Sequence, residues 1–358
     1  MKQSKYRKKV DTLYILGAGS SKALTDVKTR VNEHNRRTTP VDRDFLKMLE
    51  CFSRKGGWQK KGVELLSDNW LDTSDFWSGG LESSIIKRVA HYDALSALYK
   101  KKARRKISNP EYLNWLSHLI TDYLLKCRSN TSGDTRNFVD AVFPPKPRNY
   151  DELNNRIITF NYDLIVDRVL LERGWSKQKI YFDRIARQES DGIRRNSKDA
   201  FPDPLLLKLH GSINWRCSKT DFENIINGST DPDEKITIWT DDKKCPAPDD
   251  GHSPLIIPPI PNKPITATPI FRHLWTKAFE YLHEAKKIVI VGYSCPQADV
   301  MARSIFTQFR NMNVTDISIV DPAVGAMQNF VDLMEGRVRK TTRWHYYRGF
   351  GEFIDAIK

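Results

Sequence analysis

Thr12-Leu13-Tyr14-Ile15-Leu16-Gly17-Ala18-Gly19-Ser20-Ser21 carries an apolar run of strand length straight into two glycines. That is how a buried parallel strand delivers backbone to a phosphate. Glycines there allow a tight turn and close approach, and the N–H groups beyond them can point at a pyrophosphate. The stretch predicts a nucleotide site. A plain strand-to-turn is the alternative, because Gly-x-Gly lacks the third glycine of the dinucleotide fingerprint and no acidic ribose ligand can be placed.

The same order of strand, polar end and helix returns later. Arg156–Phe160 reads as a buried strand ending in Asn161-Tyr162-Asp163, followed by a helix over Leu164–Arg173 that Gly174 stops. Pro204–Leu209 reads as another, ending in His210-Gly211-Ser212. Ile236–Trp239 and Leu255–Ile257 read as shorter strands, and Thr268-Pro269 as the cap and first turn of a helix. Lys287–Val291 ends in Gly292-Tyr293-Ser294. A helix over Ala298–Phe309 follows, and then Ile317–Val320, ending in Asp321-Pro322. This repetition predicts an α/β, Rossmann-like parallel sheet with helices on both faces. Ligands of such sheets lie beyond the carboxyl ends of the strands, so the five polar ends are expected to line one crevice.

Between the first strand and the rest, the pattern is helical. Lys22–Thr39 is polar and charged and reads as a mobile cover. Phe45, Met48, Leu49 and Phe52 share one helical face, a short apolar piece surrounds Val63–Leu66, and a helix is expected within Leu81–Tyr99. Glu111–Cys127 carries the widest apolar stripe: Tyr112, Trp115, Leu116, Leu119, Ile120, Tyr123 and Leu124. The prolines after Phe143 end the region. Residues 41–148 are therefore expected to be a helical insertion after the first strand, within a single domain spanning 1–358.

Composition limits the alternatives. The 358 residues contain no apolar run near the roughly 20 needed to span a bilayer. The N-terminus shows no signal-peptide pattern, so a soluble, cytoplasmic protein without a membrane partner is expected. Five scattered cysteines without a Cys-x-x-Cys pair argue for reduced thiols and against a zinc ribbon, so no metal is expected. The formal charge of +14 favours anionic partners, nucleic acid or a dinucleotide among them. Its densest run, Lys100–Lys106, also reads as a solvated helix end, and no interleaved aromatics mark a single-strand platform.

The five strand ends, taken in order, resemble the sirtuin family. Gly17-Ala18-Gly19-Ser20-Ser21 resembles its glycine motif. Thr159-Phe160-Asn161-Tyr162-Asp163 resembles its Gln-Asn-Ile-Asp motif, with Phe160 for glutamine and Tyr162 for isoleucine. Leu209-His210-Gly211 is similar to its catalytic Leu-His-Gly, Gly292-Tyr293-Ser294 to the Gly-Thr-Ser on the adenosine side, and Val320-Asp321 stands where the family has Ile-Asn at the ribose. The four-cysteine zinc module and the acyl-lysine motif of the protein deacylases have no counterpart. Instead stand the helical insertion, Ser-Ile-Asn-Trp after the histidine, and Ile257-Pro258-Pro259, which look like the sirtuin-like NAD hydrolases of bacterial anti-phage defence.

That resemblance implies NAD as substrate, cleaved to nicotinamide and ADP-ribose or its cyclised form, with NAD depletion as the defence. It implies His210 as general base and Asn161 as the residue that positions water or ribose. Gly17, Ala18, Gly19 and Ser20 would sit at the pyrophosphate and Asp163 at the nicotinamide carboxamide. Gly292, Ser294 and Asp321 would lie on the adenosine side. Homo-oligomers or a HerA-like ATPase partner are implied as well. The chemistry suits these residue types: N-glycosidic cleavage passes through an oxocarbenium-like state, and imidazole ordinarily titrates near working pH. Each residue also has a structural alternative: a buried histidine at His210, a helix N-cap at Asp163 and a turn at Asp321-Pro322. An NAD-dependent deacylase or ADP-ribosyltransferase, and a nucleotide-sensing module without catalysis, stay open beside hydrolysis.

Overall fold

The computed structural model describes residues 10–24, 52, 54, 56–70, 110–126, 133–143, 154–181, 204–226, 236–238, 251–258, 269–296 and 299–357. The helix expected within 81–99, the run Lys100–Lys106, Thr268, Cys51, Cys127 and Cys245 lie outside them.

Six strands form one parallel sheet: β1 (Thr12–Leu16), β2 (Arg156–Thr159), β3 (Leu206–Lys208), β7 (Lys287–Val291), β8 (Asp316–Val320) and β9 (Arg343–Tyr347). Their order is β3-β2-β1-β7-β8-β9, the doubly wound Rossmann-like arrangement, with the reversal of strand order between β1 and β7. The chain is thus an α/β protein, as its periodicity predicts. All five residues of β1 are buried, so both faces of the sheet are covered at its centre, and the apolar run needs no alternation. On one face Tyr14 meets Phe138 edge-on at 5.4 Å, and Phe138 meets Phe350. Burial there pushes the Tyr14 phenol up to about 12, aided by the Asp11 carboxylate.

Several boundaries differ from expectation. The residues after Gly17 belong to helix α1 (Ala18–Leu24), so Lys22 and its neighbours continue a helix and do not begin a loose cover. Val63–Leu66 lies inside a longer helix, α2 (Trp58–Trp70). The stripe helix, α3 (Pro110–Lys126), is buried on every side from Leu113 to Asp122, its polar face of Asn114, Ser117, His118, Thr121 and Asp122 included. A further helix, α4 (Gly133–Val142), follows. Among the described residues between β1 and β2 only helices occur.

The helix after β2, α5 (Ile165–Glu172), closes as expected at Gly174 (φ +81): the N–H groups of Gly174 and Trp175 return to the carbonyls of Leu171 and Leu170. A single-turn helix, α6 (Lys177–Ile180), follows it.

The larger departure comes after β3. His210 does not close a strand that opens into a helix. It sits in a two-residue turn leading to β4 (Gly211–Ser218), the centre of an antiparallel sheet with β5 (Thr237–Ile238) and β6 (His252–Ile256). Seven of the eight residues of β4 are buried, so it shows none of the in–out alternation by which such a strand is recognised. Helix α7 (Lys219–Ile226) caps this sheet, and α8 (Pro269–Glu284) leads back to β7. Beyond β7 come α9 (Val300–Gln308), α10 (Val324–Met334) and α11 (Phe350–Ile357).

Candidate functional site

The parallel ladder runs one residue past each strand end. Leu209 N–H donates to Thr159 O, Phe160 N–H to Leu16 O, Gly17 N–H to Val291 O, Gly292 N–H to Val320 O and Asp321 N–H to Tyr347 O, all at 2.9–3.1 Å. The five candidate segments therefore lie flush along one edge of the sheet, in the spatial order His210, Asn161–Asp163, Gly17–Ser21, Gly292–Ser294, Asp321. At about 4.8 Å between neighbouring strands, β3 to β8 spans about 19 Å.

At the reversal point the glycines serve backbone packing. Gly19 N–H donates to Gly292 O at 2.9 Å. A Cβ on Gly292, whose φ is +57, would stand 2.1 Å from Ser20 N, and one on Gly17 would stand 2.5 Å from Gly292 O. Two loops meet here with no space for a side chain. The N–H groups of Gly17, Gly19 and Ser20 all donate to carbonyls of the protein, so in this conformation they do not point into the crevice as the glycine pattern suggests. Ala18, the first residue of α1, is exposed.

The extended segment 159–163 sends alternate side chains to opposite sides. On one side, Asn161 Nδ2 donates to Gly17 O (2.8 Å) and Ser21 Oγ (2.7 Å), with Ser20 Oγ at 3.3 Å. Because a carbonyl only accepts, Gly17 O fixes which end of the amide is nitrogen, and Oδ1 is left as its acceptor. Ser21 Oγ donates in turn to Asp163 Oδ2 at 2.5 Å. Asp163 Oδ1 accepts the Ile165 N–H at 3.0 Å while its other oxygen serves the glycine-loop side; it does so from the position before the N-cap, which is Leu164, so Asp163 is not itself the N-cap of α5.

On the other side, Phe160 and Tyr162 face His210. The imidazole is 5% exposed, with ring centres of Phe160, Trp275 and Tyr162 at 5.4, 6.0 and 6.3 Å. Tyr162 OH donates to Ile257 O at 2.6 Å, and Ile257 N–H to His210 O at 2.8 Å, which ties the histidine turn to the end of β6. Phe160 also stacks on Tyr293 at 4.2 Å. Phe160 and Tyr162, with Trp275, thus wall in the histidine. Asn161 and His210 lie on opposite sides of this segment, in different clusters.

The β7 end is held from behind. Asn329 Nδ2 donates to Ser294 O (2.6 Å) and Arg303 Nη1 to Cys295 O (3.1 Å). Ser294 is exposed, whereas Cys295 is buried at φ 50, and burial pushes its thiol up to about 12. Burial, then the Asp299 carboxylate, likewise push up the Tyr293 phenol, which donates to Asp299 Oδ2 at 3.0 Å. Asp321 Oδ1 accepts the Ala323 N–H at 2.8 Å, making the turn that its sequence context allows.

Three contributors escaped the sequence reading. Lys208 is 1% exposed and pairs with Asp167 at 3.1 Å, while Tyr181 OH donates to Asp167 Oδ1. With Ser20, Ser21, Asn161 and Asp163, Lys208 and Asp167 line a polar cavity of about 10 Å³, room for about one water molecule. The signal was present: one lysine inside Leu205-Leu206-Leu207-Lys208-Leu209 is a cation that must find a buried partner. Among the described residues no group of three His, Cys, Asp or Glu could hold a metal, and no helix is long and apolar enough to cross a membrane. Comparison with protein-family models and with curated proteins finds no match, so the reading of this site stands on its residues and their placement.

Proposed function

We propose that the protein is an NAD hydrolase. The observation that carries this reading is the order of groups along the sheet edge. His210 and Asn161–Asp163 lie on one side of the glycine loop, and Gly292–Ser294 and Asp321 on the other, the order of nicotinamide riboside, pyrophosphate and adenosine in NAD. Crossing the reversal point of a doubly wound sheet is where such a ligand lies in this architecture. Asp163 lends a negative charge where the nicotinamide ring and an oxocarbenium-like transition state are positive. His210, walled by three rings, is the base for water or a ribose hydroxyl, and its cage excludes bulk solvent from that proton transfer. Asn161, held through its Nδ2 on the opposite side of the same segment, offers its Oδ1 as the acceptor for water or a ribose hydroxyl. Depletion of NAD in anti-phage defence, homo-oligomers and a HerA-like ATPase partner follow from the sirtuin-like resemblance and belong to the same proposal.

The test is to incubate pure protein with NAD at several protein concentrations and measure nicotinamide. Release of nicotinamide with free or cyclised ADP-ribose is expected; label transferred to protein instead would make it an ADP-ribosyltransferase. A second reading, nucleotide sensing without cleavage, is favoured by the burial of His210 and by the three loop N–H groups bonded internally. Stoichiometric NAD binding with no nicotinamide release would establish it.

A further inference from the structure

We infer that Lys208 is a positioning residue: it sets the Asn161–Asp163 turn, and through it the Asn161 amide, without touching a ligand. Burying an ammonium is costly unless it is paired, and the Asp167 carboxylate on α5, 3% exposed and 3.1 Å away, compensates it. Charge balance alone would need that one contact. Lys208 Nζ makes a second, donating to the main-chain carbonyl of Asp163. That carbonyl precedes α5, whose first return bond starts from Leu164 O, so it has no partner in the helix ladder.

From there the hydrogen bonds are continuous. The Asp163 carboxylate accepts from Ser21 Oγ, which accepts from Asn161 Nδ2, which also reaches Gly17 O. In the other direction Asp167 accepts from Tyr181 OH, and Asn214 Nδ2 lies 3.4 Å from that hydroxyl on β4, the strand that begins just after His210. One network thus runs from the histidine side to the glycine loop, with Lys208 at its centre. It holds two carboxylates and one ammonium. Asp167 faces the ammonium, whereas the donors to the Asp163 carboxylate among the described residues, Ser21 Oγ and the Ile165 N–H, are neutral.

The activity readout of the test rests on the NAD proposal; its exchange readout does not. Lys208→Met alone would strand the Asp167 charge, so the main variant is the double Lys208→Met/Asp167→Asn, with Asp167→Asn as its partner. The double variant is expected to keep its melting transition, to lose amide-exchange protection at Asn161 and Ile165 by about tenfold or more while β7 and β8 stay protected, and to lose about 10- to 100-fold in kcat with little change in KM for NAD. Asp167→Asn leaves the buried ammonium without its counter-ion and should lower the melting temperature, but it retains the Lys208 contact to the Asp163 carbonyl, so protection at Asn161 and Ile165 and most of kcat should be kept in the folded protein. Wild-type protection at 161–165 in the folded double variant overturns the inference, as does equal loss in Asp167→Asn. If the double variant does not fold, Asp167→Asn decides by the same exchange criterion. If the wild-type protein releases no nicotinamide, the NAD proposal fails while exchange still decides the role of Lys208.

Discussion

Gly292→Ala should be strongly damaging for a change of one methyl group. Two costs add at this residue. An L-residue at φ +57 is unfavourable by about 1–2 kcal/mol. The new Cβ would also lie 2.1 Å from Ser20 N and 2.4 Å from Gly19 C, both backbone atoms at the start of α1, so the contact cannot be relieved by turning a side chain. Overpacking of this kind typically costs about 1–3 kcal/mol, giving a total of about 2–5 kcal/mol. Two other glycines separate the costs. Gly336 has φ +68 and open space around its virtual Cβ, so Gly336→Ala reports backbone strain alone, about 1 kcal/mol. Gly17 has no positive φ but would meet Gly292 O and Tyr293 Cβ at 2.5 Å, so Gly17→Ala reports crowding alone, about 1–3 kcal/mol. Urea unfolding of the three variants, read as shifts in midpoint at constant slope, gives the comparison. If Gly292→Ala falls within about 0.5 kcal/mol of Gly336→Ala, the loops after β1 and β7 do not meet as described, and the account of the glycine motif as a backbone contact is wrong.

Three other outcomes are expected. His210→Ala and Asn161→Ala should each fold and bind NAD yet lose about 10²–10⁴-fold in nicotinamide release; near-normal release by folded His210→Ala would remove the histidine from catalysis. Cys295, with its thiol pushed up to about 12, should alkylate at pH 8 about a thousandfold more slowly than an ordinary thiol, and Cys295→Ala should keep activity; fast labelling of the folded protein would contradict its burial. At Asp316 burial acts upward, but hydrogen bonds from Arg343, His345 and Thr315 together outweigh it and hold the carboxyl at about 2. A carboxyl held below its unfolded value adds stability that is complete above about pH 4 and disappears as pH falls toward 2. Since Arg343 and His345 are 71% and 41% exposed, screening reduces this to about 1 kcal/mol; Asp316→Asn should cost that much at pH 6–7 and nothing at pH 2, and a gap independent of pH would refute it.

Local pattern carried much of this protein. Lys287–Val291 has the strand limits its composition predicts, and β1 and β8 also end directly at the polar group expected of them, because burial on both faces leaves a continuous apolar run whatever the neighbours are; β2 and β3 stop one residue earlier than expected, at Thr159 and Lys208. Strand order was not legible, nor was β4, whose buried Ser212, Asn214 and Arg216 interrupt the apolar signal. The same limit applies to α3: periodicity identifies an apolar stripe but says nothing of what covers the opposite, polar face. At the site, residue types and their order along the chain were readable from the sequence alone. Which side of segment 159–163 each side chain takes, and that Lys208 meets Asp167 and the Asp163 carbonyl, was decided only by tertiary structure. Asn161 bonds Ser21 across 140 residues and Asp163 accepts from Ser21 across 142, and a contact that closes so long a loop leaves no trace in the local spacing of either partner.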